Sequence, residues 1–118
     1  MHNLTPEALR ACIQQCWECR DTCQTLFYNH CLVKGGAHVE RRHATLMNDC
    51  IQICQISADF MTRNSPVHMA TCGACAVVCE ACAKSCEAID CEENAALRRG
   101  VPRLRPHLPR HEPHDEAA

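Results

Sequence analysis

Cys72-Gly73-Ala74-Cys75-Ala76-Val77-Val78-Cys79-Glu80-Ala81-Cys82-Ala83-Lys84-Ser85-Cys86 places five cysteines at steps of three, four, three and four in a run of good helix formers. At 3.6 residues per turn those steps return to one face, so the sulfurs form a single stripe. A bundle helix normally keeps its leucines on such a stripe. Here the seam facing the core is made of thiols.

The same spacing recurs upstream. Thr5 reads as an N-cap, with Pro6 at the first helical position and Glu7 at the favourable end of the dipole. The helix that follows carries Cys12, Cys16, Cys19 and Cys23 at steps of four, three and four, continues past Phe27 towards His30 and Cys31, and ends at Gly35-Gly36. A second helix is expected from about Ala37 to Arg63, before Asn64-Ser65-Pro66 breaks the pattern. Its seam holds His43, Met47, Cys50, Cys54 and Met61, all able to ligate a soft metal. The third helix starts after Ser65-Pro66, carries His68 one turn before Cys72, and runs out near Ile89-Asp90.

Short connections make consecutive helices antiparallel. Folding the pattern on its two breaks sets Cys50 level with Cys79 and with the Cys19 to Cys23 turn, Cys54 near Cys75 and Cys16, and His43 near Cys86. The expected fold is all-α, an antiparallel four-helix bundle with a cysteine-lined core, of which residues 1–96 supply three helices. Residues 97–118, rich in Pro, Arg and His, read as a disordered tail where a fourth helix belongs. With G- or C-ending codons, advancing the frame by one base turns Leu97, Val101, Leu104 and Leu108 into cysteines spaced four, three and four. The same shift removes every proline and glycine of that run, so Leu97 to His111 reads as a cysteine helix in the wrong frame.

Composition narrows the function. The chain has 118 residues and a formal charge of −2, which suggests neither a nucleic-acid surface nor a basic membrane-binding face, and no apolar run approaches the length of a membrane span. Cysteine is the outlier at 13 residues, against four aromatic side chains. A disulfide framework is disfavoured on three grounds: no signal peptide is visible, so a reducing cytosol is expected; the count is odd; and cysteines at i, i+3 and i+4 on one helix have nearly parallel Cβ vectors.

Soft thiolates suit Cu(I), Zn(II) and iron–sulfur clusters. Zinc needs discrete tetrahedral sets, which Cys16-x-x-Cys19, Cys72-x-x-Cys75 and Cys79-x-x-Cys82 can supply, and the ferredoxin spacing is absent. A ladder without boundaries fits many Cu(I) ions better, since two or three thiolates hold each. Empty, the thiols are small hydrophobes that let the bundle fold without metal. Loaded, a bis-thiolate ion carries net negative charge, which bridging thiolates or neutral ligands from His43, Met47, Met61 and His68 relieve. Cys31 and Cys91 lie off the strict steps, and His107, His111 and His114 read as solvated. Two alternatives stand beside copper binding: a zinc- or cluster-bound structural module, and a thiol–disulfide oxidoreductase using Cys72-x-x-Cys75 near a helix start.

Cys12-x3-Cys16-x2-Cys19-x3-Cys23, Cys50-x3-Cys54 and Cys72-x2-Cys75-x3-Cys79-x2-Cys82-x3-Cys86 resemble the cysteine-rich four-helix-bundle copper storage proteins, over roughly Leu4 to Glu93. The resemblance implies a cytosolic, non-enzymatic protein that stores several Cu(I) ions inside the bundle through cysteine pairs, with His and Met near one mouth. It also implies homo-oligomers, commonly tetramers; a copper chaperone is a further candidate partner. The chain departs from the family at its C-terminus, where the fourth cysteine helix should stand.

Overall fold

A computed structural model describes residues 5–93, with the side chains of residues 5–90. Every regular element among the described residues is helical. Positions 94–118 lie outside them, and so do the expected tail, the place of the fourth helix and the shifted-frame reading of Leu97 to His111.

The first helix, α1 (Pro6–Leu26), begins as its sequence dictates: the Thr5 hydroxyl accepts from the Ala8 N–H at 3.0 Å, and Pro6 occupies the first turn. It passes without interruption into a π-helical turn (Phe27–Cys31) and a last α turn (Leu32–Lys34). The π turn was not expected. Cys31 stands eight residues after Cys23 where the seam asks for seven, and a π turn absorbs one extra residue. Cys31 therefore returns to the core and is 2% exposed.

Gly35 and Gly36 both take positive φ, 72° and 57°, and end the helix. The expected helix from Ala37 does not start there. A 3-10 turn (Gly36–Val39) intervenes, and extended Glu40 caps α2 (Arg41–Thr62) by accepting from the His43 N–H at 3.2 Å. The acidic cap suits the positive end of the helix dipole. Asn64, with φ 55°, turns the chain into α3 (His68–Glu93). The Ser65 hydroxyl accepts from the Val67 N–H ahead of that helix, much as Thr5 does ahead of α1.

The second helix packs against both others. Sulfur contacts fix the directions: Cys50 meets Cys79, Cys54 meets Cys75, and Ser57 meets Cys72, so partner numbers fall on α3 as they rise on α2. The order is antiparallel, and among the described residues no fourth helix completes the ring. The core is Cys16, Cys19, Cys23, Cys31, Cys50, Cys54, Cys75, Cys79, Cys82 and Cys86 with Phe27, Met47, Ile51, Ala58 and Met61.

By length and composition alone, His68–Asp90 is apolar enough to cross a membrane, which the reading of apolar runs missed because cysteine and alanine also count as apolar. In the bundle its cysteine face is turned inward.

Candidate metal centre

Three helices bring their sulfurs to one axis because each carries cysteine at the i, i+3 or i+4 positions of its inner face. Cys50 is the junction. Its Sγ lies 3.5 Å from Cys19, 3.8 Å from Cys23 and 3.6 Å from Cys79. Cys54 continues the column, 3.6 Å from Cys79 and 3.7 Å from Cys75. The sulfurs of Cys19, Cys50, Cys54 and Cys79 all lie within 4.8 Å of one another, and those of Cys23, Cys50 and Cys82 form a second such group. Four sulfurs bonded to one tetrahedral ion at ~2.3 Å stand roughly 3.8 Å apart. The four sulfurs therefore already stand at nearly the spacing of a tetrahedral metal site. The twelve described cysteines are free thiols.

Protons in this column are shared. Cys19 is pushed far up, first by its bond with Cys23 and then by those with Cys50, Cys54 and Cys79. Cys50 and Cys79 are pulled down, first by their bonds with Cys19. Neighbouring S–H groups thus stabilise a thiolate inside the cluster while other sulfurs keep their protons. An arriving cation exchanges for those protons.

Each end of the column carries a histidine paired with a cysteine. At one end Cys72 and Cys12 are only half-buried, and burial pushes both thiols up. The His68 Nδ1 stands 3.9 Å from the Cys72 Sγ, and the Ser57 hydroxyl donates to that sulfur at 3.6 Å. Met61 and His68 line a cleft there with Pro6, Leu9 and Ile13. At the other end the His43 Nε2 stands 3.9 Å from the Cys31 Sγ, and its Nδ1 is 2.8 Å from the Ser85 Oγ. Burial, and then His38 nearby, pull the His43 imidazole below its ordinary value. Met47 lies inside the column, its sulfur accepting from Cys82 at 3.5 Å and from Cys86 at 3.7 Å.

Every predicted ligand with a described side chain thus belongs to the column or its two ends. The side chain of Cys91 lies outside the described residues. His43 contacts Cys31 and Ser85, one residue before the Cys86 expected beside it. The resemblance implies His and Met near one mouth; here His68 and Met61 line the cleft at one end, His43 stands at the other, and Met47 lies inside the column. Ser57, Ser85 and buried His38 were missed. Ser57 is the seam position between Cys54 and Met61 that a step of seven skips, so its spacing could have found it. Ser85 and His38 give no spacing signal.

The copper storage protein family model matches residues 5–99 of this sequence. The structure resembles the crystal structure of the Nmul_A1745 protein from Nitrosospira multiformis, with a TM-score of 0.71 and 44% sequence identity over 87% of this chain and 93% of that one. No curated protein matches significantly. Cysteine helices at this spacing, a thiol core and a family match over most of its length lead to one assignment: the chain belongs to the copper storage protein family.

Proposed function

We propose that this protein is a cytosolic store of Cu(I), holding several ions per chain along the sulfur column and keeping them from solvent. The observation that carries this reading is Cys50, whose sulfur belongs to both metal-sized groups, Cys19/Cys54/Cys79 and Cys23/Cys82. A sulfur common to two sites acts as a bridge, and bridged sites hold several monovalent ions with less net charge than isolated bis-thiolates.

Ions enter at the Cys72 end, where two thiols are half-exposed beside His68 and Met61, and pass by exchange between sulfurs less than 4 Å apart. The half-buried, upward-shifted Cys72 supports storage over thiol–disulfide exchange, which needs an exposed thiol of low pKa. Delivery by a copper chaperone and assembly into a homo-oligomer belong to the same reading.

A second reading has one observation behind it: Cys19, Cys50, Cys54 and Cys79 suit a single tetrahedral Zn(II). Anaerobic Cu(I) titration of the reduced chain against a chromophoric competitor separates the two. Storage requires on the order of six ions per chain, about two cysteines each. Saturation at one ion would sink it, and tight zinc after purification without added copper would favour a structural module.

A further inference from the structure

We infer that the cleft at the Cys72 end is a docking site for a copper carrier, a small peptidic thiol with free carboxylates that arrives with Cu(I) on its sulfur. The inference rests on the storage reading and adds to it the chemical form in which copper is received.

The cleft has the size and lining of a small-molecule site. Its volume is about 550 Å³, within the roughly 300–1,000 Å³ that such sites occupy. Leu9, Ile13 and Met61 supply apolar surface, and Arg10, Thr62 and Asn64 supply polar groups. A small carrier enters a cleft of this size whole, whereas a protein carrier could put only a loop into it.

Charge selects the class of carrier. Cu(I) held by two thiolates carries one net negative charge, and carboxylates on the carrier add to it. None of the described residues lining the cleft is acidic, and no described carboxylate pairs with Arg10. Its guanidinium can give a carboxylate two parallel N–H donors. The Asn64 amide adds donors and an acceptor, which suit a carboxylate or a peptide group. The chain as a whole carries −2, so this local charge, and not the overall field, favours an anion.

Position makes docking productive. His68 lines the cleft with its Nδ1 3.9 Å from the Cys72 Sγ, and Leu9 and Ile13 flank Cys12 on α1. Among the described cysteines, Cys12 and Cys72 are the two that are not fully buried. A docked carrier thus presents its Cu(I)–sulfur bond to the thiols of the column that solvent reaches. Transfer is ligand exchange with no change of oxidation state. The Cys72 sulfur bonds to Cu(I), one carrier sulfur leaves, and the Cys72 proton goes to that departing sulfur. Cys12 repeats the step and frees the second carrier molecule. Two thiolates hold the ion before and after, so its charge is unchanged.

The full-length reduced chain tests this under anaerobic conditions. It is loaded from the Cu(I) complex of glutathione or from that of cationic cysteamine, both poised at the same free Cu(I). S-methylglutathione, whose sulfur is blocked, serves as the carrier analogue for amide NMR of the apo chain. Loading from the glutathione complex should saturate, loading from the cysteamine complex should not, and the analogue should compete and shift Leu9, Arg10, Ile13 and Asn64. Arg10→Ala should raise the half-saturating concentration roughly 3- to 10-fold with the final Cu(I) count unchanged. Arg10→Lys should recover part of that loss and Arg10→Glu should deepen it. Equal, unsaturable loading from the two complexes overturns the docking site alone, as do analogue shifts elsewhere, an unmoved half-saturating concentration in Arg10→Ala, or loading only from a protein carrier. A native chain that takes no more than one ion overturns the storage reading first. Should Arg10→Ala lose its helical circular dichroism, the shift map of the native chain still decides.

Discussion

The Cys19 and Cys50 sulfurs, from α1 and α2, stand 3.5 Å apart, and the Cys50 sulfur touches α3 through Cys79 as well. One atom thus ties all three helices together and belongs to both metal-sized groups. Cys50→Ala should therefore lower the Cu(I) count by more than one, whereas Cys12→Ala, at the half-exposed end, removes at most one. The apo variant should stay helical at a cost of about 1–2 kcal/mol, since it loses a small buried group. Titration and circular dichroism check this; equal losses in the two variants would argue against a shared sulfur.

Deleting Asn29 is a test of the π turn. Asn29 is exposed, and its removal puts Cys31 seven residues after Cys23, the ordinary seam spacing. The shortened chain should form a continuous α-helix with Cys31 still buried. Mass spectrometry after alkylation reads the outcome: rapid modification of Cys31 in the deletion variant would mean that the π turn does more than absorb one residue.

The helices and their inner faces were legible because cysteine is both small enough for a core and rare enough to mark one. Periodicity at Cys12 to Cys23 and Cys72 to Cys86, with breaks at Gly35 and Asn64, settled element number, direction and the Cys50 to Cys79 register. The rest depends on departures from α periodicity or on polar partners. Cys31 looked misplaced because a straight helix was assumed, and the Glu40 cap was hidden by an apparently continuous helix from Ala37. The Ser85 to His43 bond is invisible in sequence, since 42 positions separate its partners and neither lies at a cysteine step from the other.

The stability of the empty, reduced protein should peak near neutral pH. Burial, with Cys86 and Asp90 nearby, pushes the Cys31 thiol up to about 12. The unfolded thiol ionises near its ordinary value of 9.0, so this contribution is complete below that pH and is lost as pH rises towards about 12. Burial pulls His43 below its ordinary 6.5, so its contribution is complete above that value and is lost as pH falls through the folded value. Thermal melts at about pH 5, 7.5 and 10 should give the highest midpoint in the middle; a midpoint still rising at about pH 10 would contradict the buried-thiol account.

Gly73 lies inside α3, and a Cβ built there meets no atom within 4 Å. Gly73→Ala should therefore stabilise the apo protein by about 0.5–1 kcal/mol, through the lower entropy of the unfolded chain, without changing Cu(I) binding. A denaturant midpoint that falls would show that this outer face is covered in solution.

Met47 separates packing from ligation. Its side chain is fully buried, and its sulfur is 3.5 Å from Cys82 and 3.7 Å from Cys86. Met47→Leu nearly conserves volume and should cost less than about 1.5 kcal/mol of apo stability. It removes, however, a neutral soft ligand from between two thiols. Without the thioether, an ion held by Cys82 and Cys86 keeps its full bis-thiolate charge in a dry interior, so its affinity should fall while ions around Cys54 and Cys75 are unaffected. Competition titrations of the two proteins, with selenomethionine at position 47 followed by X-ray absorption at the selenium edge, measure the contact directly. A copper neighbour at bonding distance from selenium, together with a weakened ion in Met47→Leu, is the expected pair of results. An unchanged titration and a selenium shell of carbon alone would make Met47 a packing residue.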